Sequence, residues 1–226
     1  MQDKQVNFPE PVHIVAYFFQ GFGCTVEYHP ASTPRFAELI ATFEGEEYST
    51  RWFCVVSVDG ATQEMGNAIA RANQVGAKRG AMVCKGNGMD GVKPFVRVSG
   101  VPVVTLENAE DELYPPFRTT AWLIQMERVR YLLTKLQGAK AILEDAGKEE
   151  RKDLQHAIKI LLAVRRALES WIDGSPSPGI PHWYDKTLRC EPSSSEWMEL
   201  RCISILLDTT VSRTAEDLDR AAALKG

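Results

Sequence analysis

The sequence lacks long apolar runs, closely spaced cysteines and an excess of basic charge. No run approaches the roughly 18 apolar residues that cross a bilayer as a helix, and the opening MQDKQVNFPEP lacks the basic-then-apolar order of a secretion signal. The five cysteines include no CxxC pair, which argues against a zinc site. We therefore expect a reduced, cytoplasmic protein that makes no membrane contact.

The charge is unevenly distributed along the 226 residues, although the net charge is only −4. Residues 118–170 carry 11 Lys and Arg against 7 Asp and Glu, whereas residues 1–117 and 171–226 are both acidic. This distribution excludes a wholly basic nucleic-acid-binding protein and leaves the middle segment as the one basic region.

The first half alternates helix and strand signals. We predict a helix in PEPVHIVAYFFQGFG, a strand in CTVEYHP and a hairpin in FAELIATFEGEEYSTRWFCVVSVDG, whose polar turn is EGEE. A helix over about Thr62–Val75, the buried strands GAMVC and VPVVTLE, and a short acidic turn or helix start in NAEDEL follow. This order predicts a mixed α/β core over residues 8–113.

The second half reads as helical. Trp122, Met126, Val129, Leu133 and Leu136 recur at the spacing of a helix–helix seam, and a second seam contains Leu154, Ile158, Leu161, Leu168 and Ile172. Residues 117–173 are therefore predicted to form a helical hairpin, residues 174–192 a linker and residues 193–226 C-terminal helices. Arg165 interrupts the second seam, and one interpretation pairs it with an acid from a partner chain.

The order of these elements resembles the restriction-endonuclease-like core of the Mrr family. The local matches are GCTVEY, ELIA and ANQVGAKRGAMVC…VPVVTLENAEDEL. The resemblance implies a nuclease-like fold, in which a metal-binding Asp and a Gln/Glu-x-Lys signature lie on consecutive strands.

The catalytic signature of that family is altered in this chain. FAELIA puts Glu38 where the metal-binding Asp stands, and VSVDG puts Val56 or Ser57 at the Gln/Glu position and Val58 or Asp59 at the lysine position. By this resemblance Glu38 and Asp59 are the candidate metal ligands, and Glu64 is a third candidate catalytic carboxylate. A working site would use Mg²⁺, and otherwise no cofactor is expected.

Each candidate also has a simpler interpretation. Asp59 before Gly60 is typical of a residue that ends a strand and caps the next helix. Glu38 alternates with Leu39, as on the solvent face of an edge strand. Glu64 in a first helical turn is favoured by the helix dipole, and His29 has no Cys or Ser partner in the local sequence.

The basic segment supplies the candidate nucleic-acid contacts. These are Arg128, Arg130, Lys135, Arg151, Lys152, Lys159, Arg165 and Arg166. Such residues can follow a phosphate backbone, but interspersed charge is also typical of a solvated helix surface. Trp183 and Trp197 suit a protein interface.

Three functional hypotheses follow. The first is a non-catalytic nuclease-like subunit of a prokaryotic DNA-processing or anti-phage defence assembly, which binds a protein partner and can also bind DNA or RNA. The second is an active Mg²⁺-dependent nuclease with an altered site. The third is a scaffold that self-associates through its helices and has no nucleic-acid role.

Overall fold

A computed structural model describes residues 7–58, 67–68, 71–72, 74–77, 79–85, 101–143, 148–172 and 200–209. The chain divides into two compact units. The first comprises Met1–Glu44 and Tyr48–Thr120, and the second comprises Gly45–Glu47 and Ala121–Gly226.

The first unit is built on a five-stranded mixed sheet, which confirms the predicted α/β class. Its strands are β1 (Thr25–Tyr28), β2 (Phe36–Glu44), β3 (Ser49–Ser57), β4 (Arg79–Cys84) and β5 (Val103–Thr105). They lie in the sheet in chain order. β1, β2 and β3 pair antiparallel, and β3, β4 and β5 pair parallel. The predicted hairpin is therefore confirmed.

Helix α1 (Glu10–Gly21) precedes the sheet and begins after Pro9, as the prolines of PEPV predict. Its apolar side chains enter an aromatic cluster. Phe117 is the centre of this cluster, since its ring lies 5.1–5.6 Å from those of Phe18, Phe19, Phe22 and Trp52. Phe117 is completely buried, so this cluster is the main contact of one face of the sheet.

The opposite face of the sheet packs against the segment between β3 and β4. Residues 67, 68, 71, 72 and 74 are helical, and Ala68, Ala72 and Val75 pack with strand residues such as Phe53 and Val55. The predicted helix over Thr62–Val75 is thus confirmed at the positions that the structure describes. The face it covers also carries Glu38, because side chains alternate along β2.

Two long helices follow the sheet, as predicted. Helix α2 (Ala109–Leu143) begins at Ala109 rather than near residue 117 and continues through Pro115 and Pro116. Three acids in its first turn favour this start, and burial of Leu113 and Phe117 holds the turns on either side of the prolines. Helix α3 spans Lys148–Ile172.

The predicted seams are largely buried. Met126, Val129, Leu133 and Leu136 of α2 and Leu154, Leu161 and Leu168 of α3 are in the core, whereas Trp122 and Ile158 are half-buried. The predicted C-terminal helices are described only at residues 200–209, which are helical. The linker over 174–192 lies outside the described residues.

No helix in the described ranges is long and apolar enough to cross a bilayer. Cys24, Cys54 and Cys84 are buried free thiols. These three cysteines therefore act as small core residues, as expected from their apolar neighbours.

Candidate functional site

Glu38 lies inside the first unit and not on a solvent-facing edge. Its strand β2 pairs with β1 on one side and β3 on the other, and Glu38 itself has no exposed surface. The interpretation of Glu38 as the solvent face of an edge strand is therefore wrong. That interpretation assumed that one of the two alternating residues, Glu38 and Leu39, faces solvent, whereas both faces of β2 are covered.

The Glu38 carboxylate is bound by two basic side chains. Arg71 donates from Nε to Oε2 at 2.8 Å and from Nη2 to Oε1, so the guanidinium holds both oxygens. Nδ1 of His29 lies 3.2 Å from Oε2. We call these three residues the Glu38 cluster.

The backbone around Glu38 is equally constrained. The Ser32 hydroxyl accepts a hydrogen bond from the Glu38 N–H at 3.0 Å and donates to its carbonyl oxygen at 3.2 Å. The same carbonyl accepts from the N–H of His29 at 2.8 Å. These bonds fix the direction of the Glu38 side chain before any partner side chain contributes.

His29 has two competing neighbours at a single nitrogen. The Ala31 N–H donates to Nδ1 at 3.2 Å, which requires that nitrogen to be unprotonated. The contact between Nδ1 and Glu38 is a hydrogen bond only when the same nitrogen carries a proton. Arg71 is therefore the fixed countercharge of Glu38, whereas at Nδ1 of His29 the Glu38 contact competes with the hydrogen bond from Ala31.

This arrangement changes the chemistry available to Glu38. A divalent cation binds to free carboxylate oxygens, but both oxygens of Glu38 already accept hydrogen bonds from a fixed positive charge. Among the described residues no group of three or more His, Cys, Asp and Glu side chains is placed to hold a metal ion. The other two candidates, Asp59 and Glu64, lie outside the described residues.

Polar side chains also lie at the carboxyl ends of the parallel strands. Ser57, Cys84 and Thr105 end β3, β4 and β5 and are aligned by the strand register. This edge is where α/β sheets commonly bind ligands. Ser57 and Cys84 are fully buried, so only Thr105, which is half-buried, has accessible surface in this row.

Glu112 fixes the end of β5. Its carboxylate accepts from the Thr105 N–H at 2.6 Å and from the Thr105 hydroxyl at 2.7 Å. Burial acts to raise the pKa of Glu112, but hydrogen bonds from Thr105 and Asn108 outweigh it and lower the pKa. The carboxylate is therefore ionised at neutral pH, and its hydrogen bonds to Thr105 stabilise the end of β5.

Two of the core cysteines, Cys54 and Cys84, are not activated nucleophiles. Burial raises the pKa of the Cys54 thiol. Burial, and then the charges of Glu107 and Glu112, raises the pKa of Cys84. A thiol in these surroundings stays protonated and unreactive.

Two of the arginines predicted to contact nucleic acid, Arg128 and Arg130, are paired with acidic side chains in the second unit. Arg128 binds Ser204 and forms an ion pair with Asp208. Arg130 pairs with Glu47 at 2.6 Å. These acids are far away in the sequence, so local patterns could not reveal them.

Two further basic residues have local partners. Arg165 pairs with Glu169 one helical turn later at 2.7 Å, so the structure gives it a partner within its own helix, where the sequence suggested one in another chain. Lys135 lies over the ring of Tyr131, and a hydrogen bond to Tyr131 raises the pKa of Lys135. The i to i+4 spacing of both pairs is a signal that the sequence does contain.

The remaining predicted contacts lie on α3. Lys152, Lys159 and Arg166 are exposed, and their spacing of seven residues places them along one side of the helix. We call these three residues the α3 basic face. The side chain of Arg151 lies outside the described residues.

One buried acid was not anticipated. Glu127 is 4% exposed, and one of its oxygens accepts from the Glu47 N–H at 2.8 Å. Its other oxygen has no hydrogen-bond partner within the described part of the chain.

Comparison with protein families, with curated proteins and with solved structures finds no match to this chain. Its function must therefore be inferred from its own residues.

Proposed function

We propose that this protein is a non-catalytic, nuclease-like subunit of a prokaryotic DNA-processing or anti-phage defence assembly, acting in the cytoplasm. It would bind a protein partner, and nucleic acid through the α3 basic face. The observation that carries the non-catalytic part is the Glu38 cluster, in which Arg71 occupies both oxygens of the carboxylate.

The restriction-endonuclease-like interpretation is supported by the order of the elements. A helix, an antiparallel β1–β2–β3 meander, a helical segment and two parallel strands follow one another as in the Mrr-type layout. Glu38 on β2 and Ser57 at the end of β3 have side chains on the same face of the sheet. By the resemblance, Glu38 takes the position of the metal-binding Asp, and Val56 or Ser57 takes that of the Gln/Glu.

Arg71 supplies a positive charge where a nuclease of that type would hold its cation. A guanidinium compensates a buried carboxylate without a metal, but it cannot supply a metal-bound hydroxide or act as a Lewis acid. An arginine beside Glu38 also repels an incoming divalent cation. We therefore expect that a site in which Arg71 takes the place of the metal ion keeps the fold and has no nuclease activity.

The α3 basic face supports nucleic-acid binding. Its first and last cations, Lys152 and Arg166, are 14 residues apart, roughly 21 Å along the helix axis. Between Leu154 and Leu168 the helix contains no acidic residue. Lys159 and Arg166 lie in this stretch, and exposed cations of this kind attract phosphates with little dependence on base sequence.

The catalytic part is tested by incubating the protein with supercoiled plasmid and short duplexes in Mg²⁺ or Mn²⁺. We expect no cleavage by the unmodified chain. Metal-dependent cleavage that is lost in both Glu38→Gln and Asp59→Ala would replace this proposal with an active nuclease of altered site.

The binding part is tested by fluorescence anisotropy with a labelled duplex across a salt series. We expect Lys159→Gln combined with Arg166→Gln to weaken binding about tenfold and to reduce the salt slope by roughly 2. Arg165→Gln is the matched control, because Arg165 is adjacent in sequence but already paired with Glu169. The control should change the affinity less than threefold.

The scaffold hypothesis makes a different prediction. It requires no binding of nucleic acid at any salt concentration, together with a stable oligomer in light scattering. That combination would remove nucleic acid from the proposed function.

A further inference from the structure

Two adjoining cavities lie in the first unit at the amino ends of β3 and β4, the opposite end of these strands from Glu38. The first has a volume of about 390 Å³ and the second about 590 Å³. Both are lined by Thr42, Phe43, Glu44 and Arg51. Their sizes fall within the range of cavities that bind small molecules.

Two arginines line the smaller cavity. Arg51 directly precedes the apolar part of β3, and Arg79 is the first residue of β4. Both are exposed. In the described ranges neither forms an ion pair with a carboxylate, in contrast to Arg71, Arg128, Arg130 and Arg165.

Each of these arginines is anchored through one nitrogen. Nη1 of Arg51 donates to the carbonyl oxygen of Val75 at 2.8 Å, and Nη1 of Arg79 donates to the Thr120 hydroxyl at 3.0 Å. A guanidinium has five N–H donors, so each retains most of its hydrogen-bonding capacity. The anchors reduce the conformational entropy that a ligand would have to overcome.

The rest of the lining suits an oxyanion. Tyr48, Ser49 and Thr50, three residues with hydroxyl groups, also line the smaller cavity. Gly76 lines it with a φ of +71° and has open space where a Cβ would be, which lets a ligand approach the backbone closely. Glu44 is the acid in this lining, and its charge opposes an anion.

We propose that the smaller cavity binds a phosphate group and that the larger one holds the hydroxyl-bearing remainder of the same molecule. Arginine and hydroxyl donors recognise phosphate oxygens through charge-assisted hydrogen bonds. Arg51 and Arg79 would approach the phosphate from the two faces of the sheet, because the register pairs Arg79 with Trp52 and not with Arg51. The larger cavity is lined by Thr25, Glu27 and Thr42, whose oxygens can bond ligand hydroxyls. The ligand class is therefore a sugar phosphate or a nucleoside monophosphate.

This site does not rest on the proposed function, since none of its lining residues belongs to α3. Isothermal titration calorimetry of the full chain tests it with inorganic phosphate, ribose 5-phosphate and adenosine monophosphate, at constant ionic strength. We expect saturable binding of phosphate, and at least tenfold tighter binding of one of the two larger probes. Preference between those two identifies the source of the phosphate.

Four variants locate the site. Arg51→Gln and Arg79→Gln should each weaken binding about tenfold or more, and Ser49→Glu should abolish it by placing a negative charge at an exposed lining position. Glu44→Gln should tighten binding by about two- to fivefold, because it removes a repelling charge. A purely structural effect of substitution would not strengthen binding.

The control is Arg165→Gln, which removes an exposed arginine that is already paired with Glu169 and should leave phosphate binding unchanged. Circular dichroism melts confirm that each variant is folded. Binding that does not saturate, that is equal for chloride and phosphate, or that survives both arginine variants in folded protein would overturn the proposal. An effect of Arg165→Gln equal to that of Arg51→Gln would overturn it as well.

Discussion

Replacing Arg71 by methionine removes the positive charge from the Glu38 cluster and keeps an unbranched side chain. Glu38 has no exposed surface, so its carboxylate cannot turn to water when the guanidinium is lost. Breaking a buried ion pair costs about 3–5 kcal/mol. We expect the lower end, about 3 kcal/mol, because the Arg71 side chain is 26% exposed and His29 stays beside the carboxylate.

The reciprocal change should cost less. In Glu38→Gln the remaining guanidinium is partly exposed and can be solvated, so we expect a loss of about 1–2 kcal/mol. The double variant should lose at least 1 kcal/mol less than the two single losses added, roughly the coupling expected of a contacting charge pair. Arg166→Met is the matched control and should change stability by no more than about 0.5 kcal/mol.

The assay is urea denaturation followed by tryptophan fluorescence and by far-ultraviolet circular dichroism. A typical domain has a free energy of unfolding of about 5–15 kcal/mol, so a loss of 3 kcal/mol shifts the midpoint clearly. The reasoning is refuted if Arg71→Met costs less than about 1 kcal/mol, or if the two single effects are additive.

Three further predictions concern the first unit. Gly80→Ala should destabilise the folded protein by about 2 kcal/mol or more, because the added Cβ would lie 2.4 Å from the carbonyl oxygen of Phe53. Thermal melts measure this loss, and an unchanged melting temperature would contradict the prediction. Phe117→Ala should lower the free energy of unfolding by about 3–5 kcal/mol, since it leaves a cavity at the centre of the buried aromatic cluster. A decrease of less than about 1 kcal/mol in urea denaturation would be inconsistent with that packing. Glu112→Gln should lower stability at neutral pH by no more than about 1 kcal/mol, given solvent screening. Because the folded-state pKa of Glu112 is lowered, its contribution is present above the ordinary glutamate pKa and is lost as pH falls through the lowered value. Stability curves of the two proteins should therefore converge in acid, and a constant difference at every pH would argue against the Thr105 contacts.

Local sequence patterns predicted the elements of the sheet well. The prolines before Val12, the polar EGEE turn and the apolar run of β3 each act over a few residues, and each element appears where its pattern indicates. One of the two readings of NAEDEL, a helix start, is where α2 begins, but the continuation of that helix into the predicted hairpin was not expected, because Pro115 and Pro116 suggest a helix boundary in isolation. Tertiary burial of Leu113 and Phe117 overrides that local preference.

The candidate site was only partly predictable. Glu38 was singled out by its position in FAELIA, but Arg71, its partner 33 residues later, follows no local rule. The partners of Arg128 and Arg130 are 80 and 83 residues away, so the charge count of residues 118–170 overestimated the cations available to a nucleic acid. Such charges come together only in the folded chain. A sequence periodicity of 2 or 3.6 residues predicts strands and helices, but it does not predict which distant charges will pair.

The central claim is that the Glu38 carboxylate is held by arginine and no longer holds a catalytic cation. The most direct measurement is anomalous diffraction from a crystal of the full chain soaked in Mn²⁺. We predict that the Arg71 guanidinium remains on both oxygens of Glu38, with no anomalous peak within about 2.5 Å of either oxygen. A manganese peak bridging Glu38 and Asp59, with Arg71 displaced, would contradict the account.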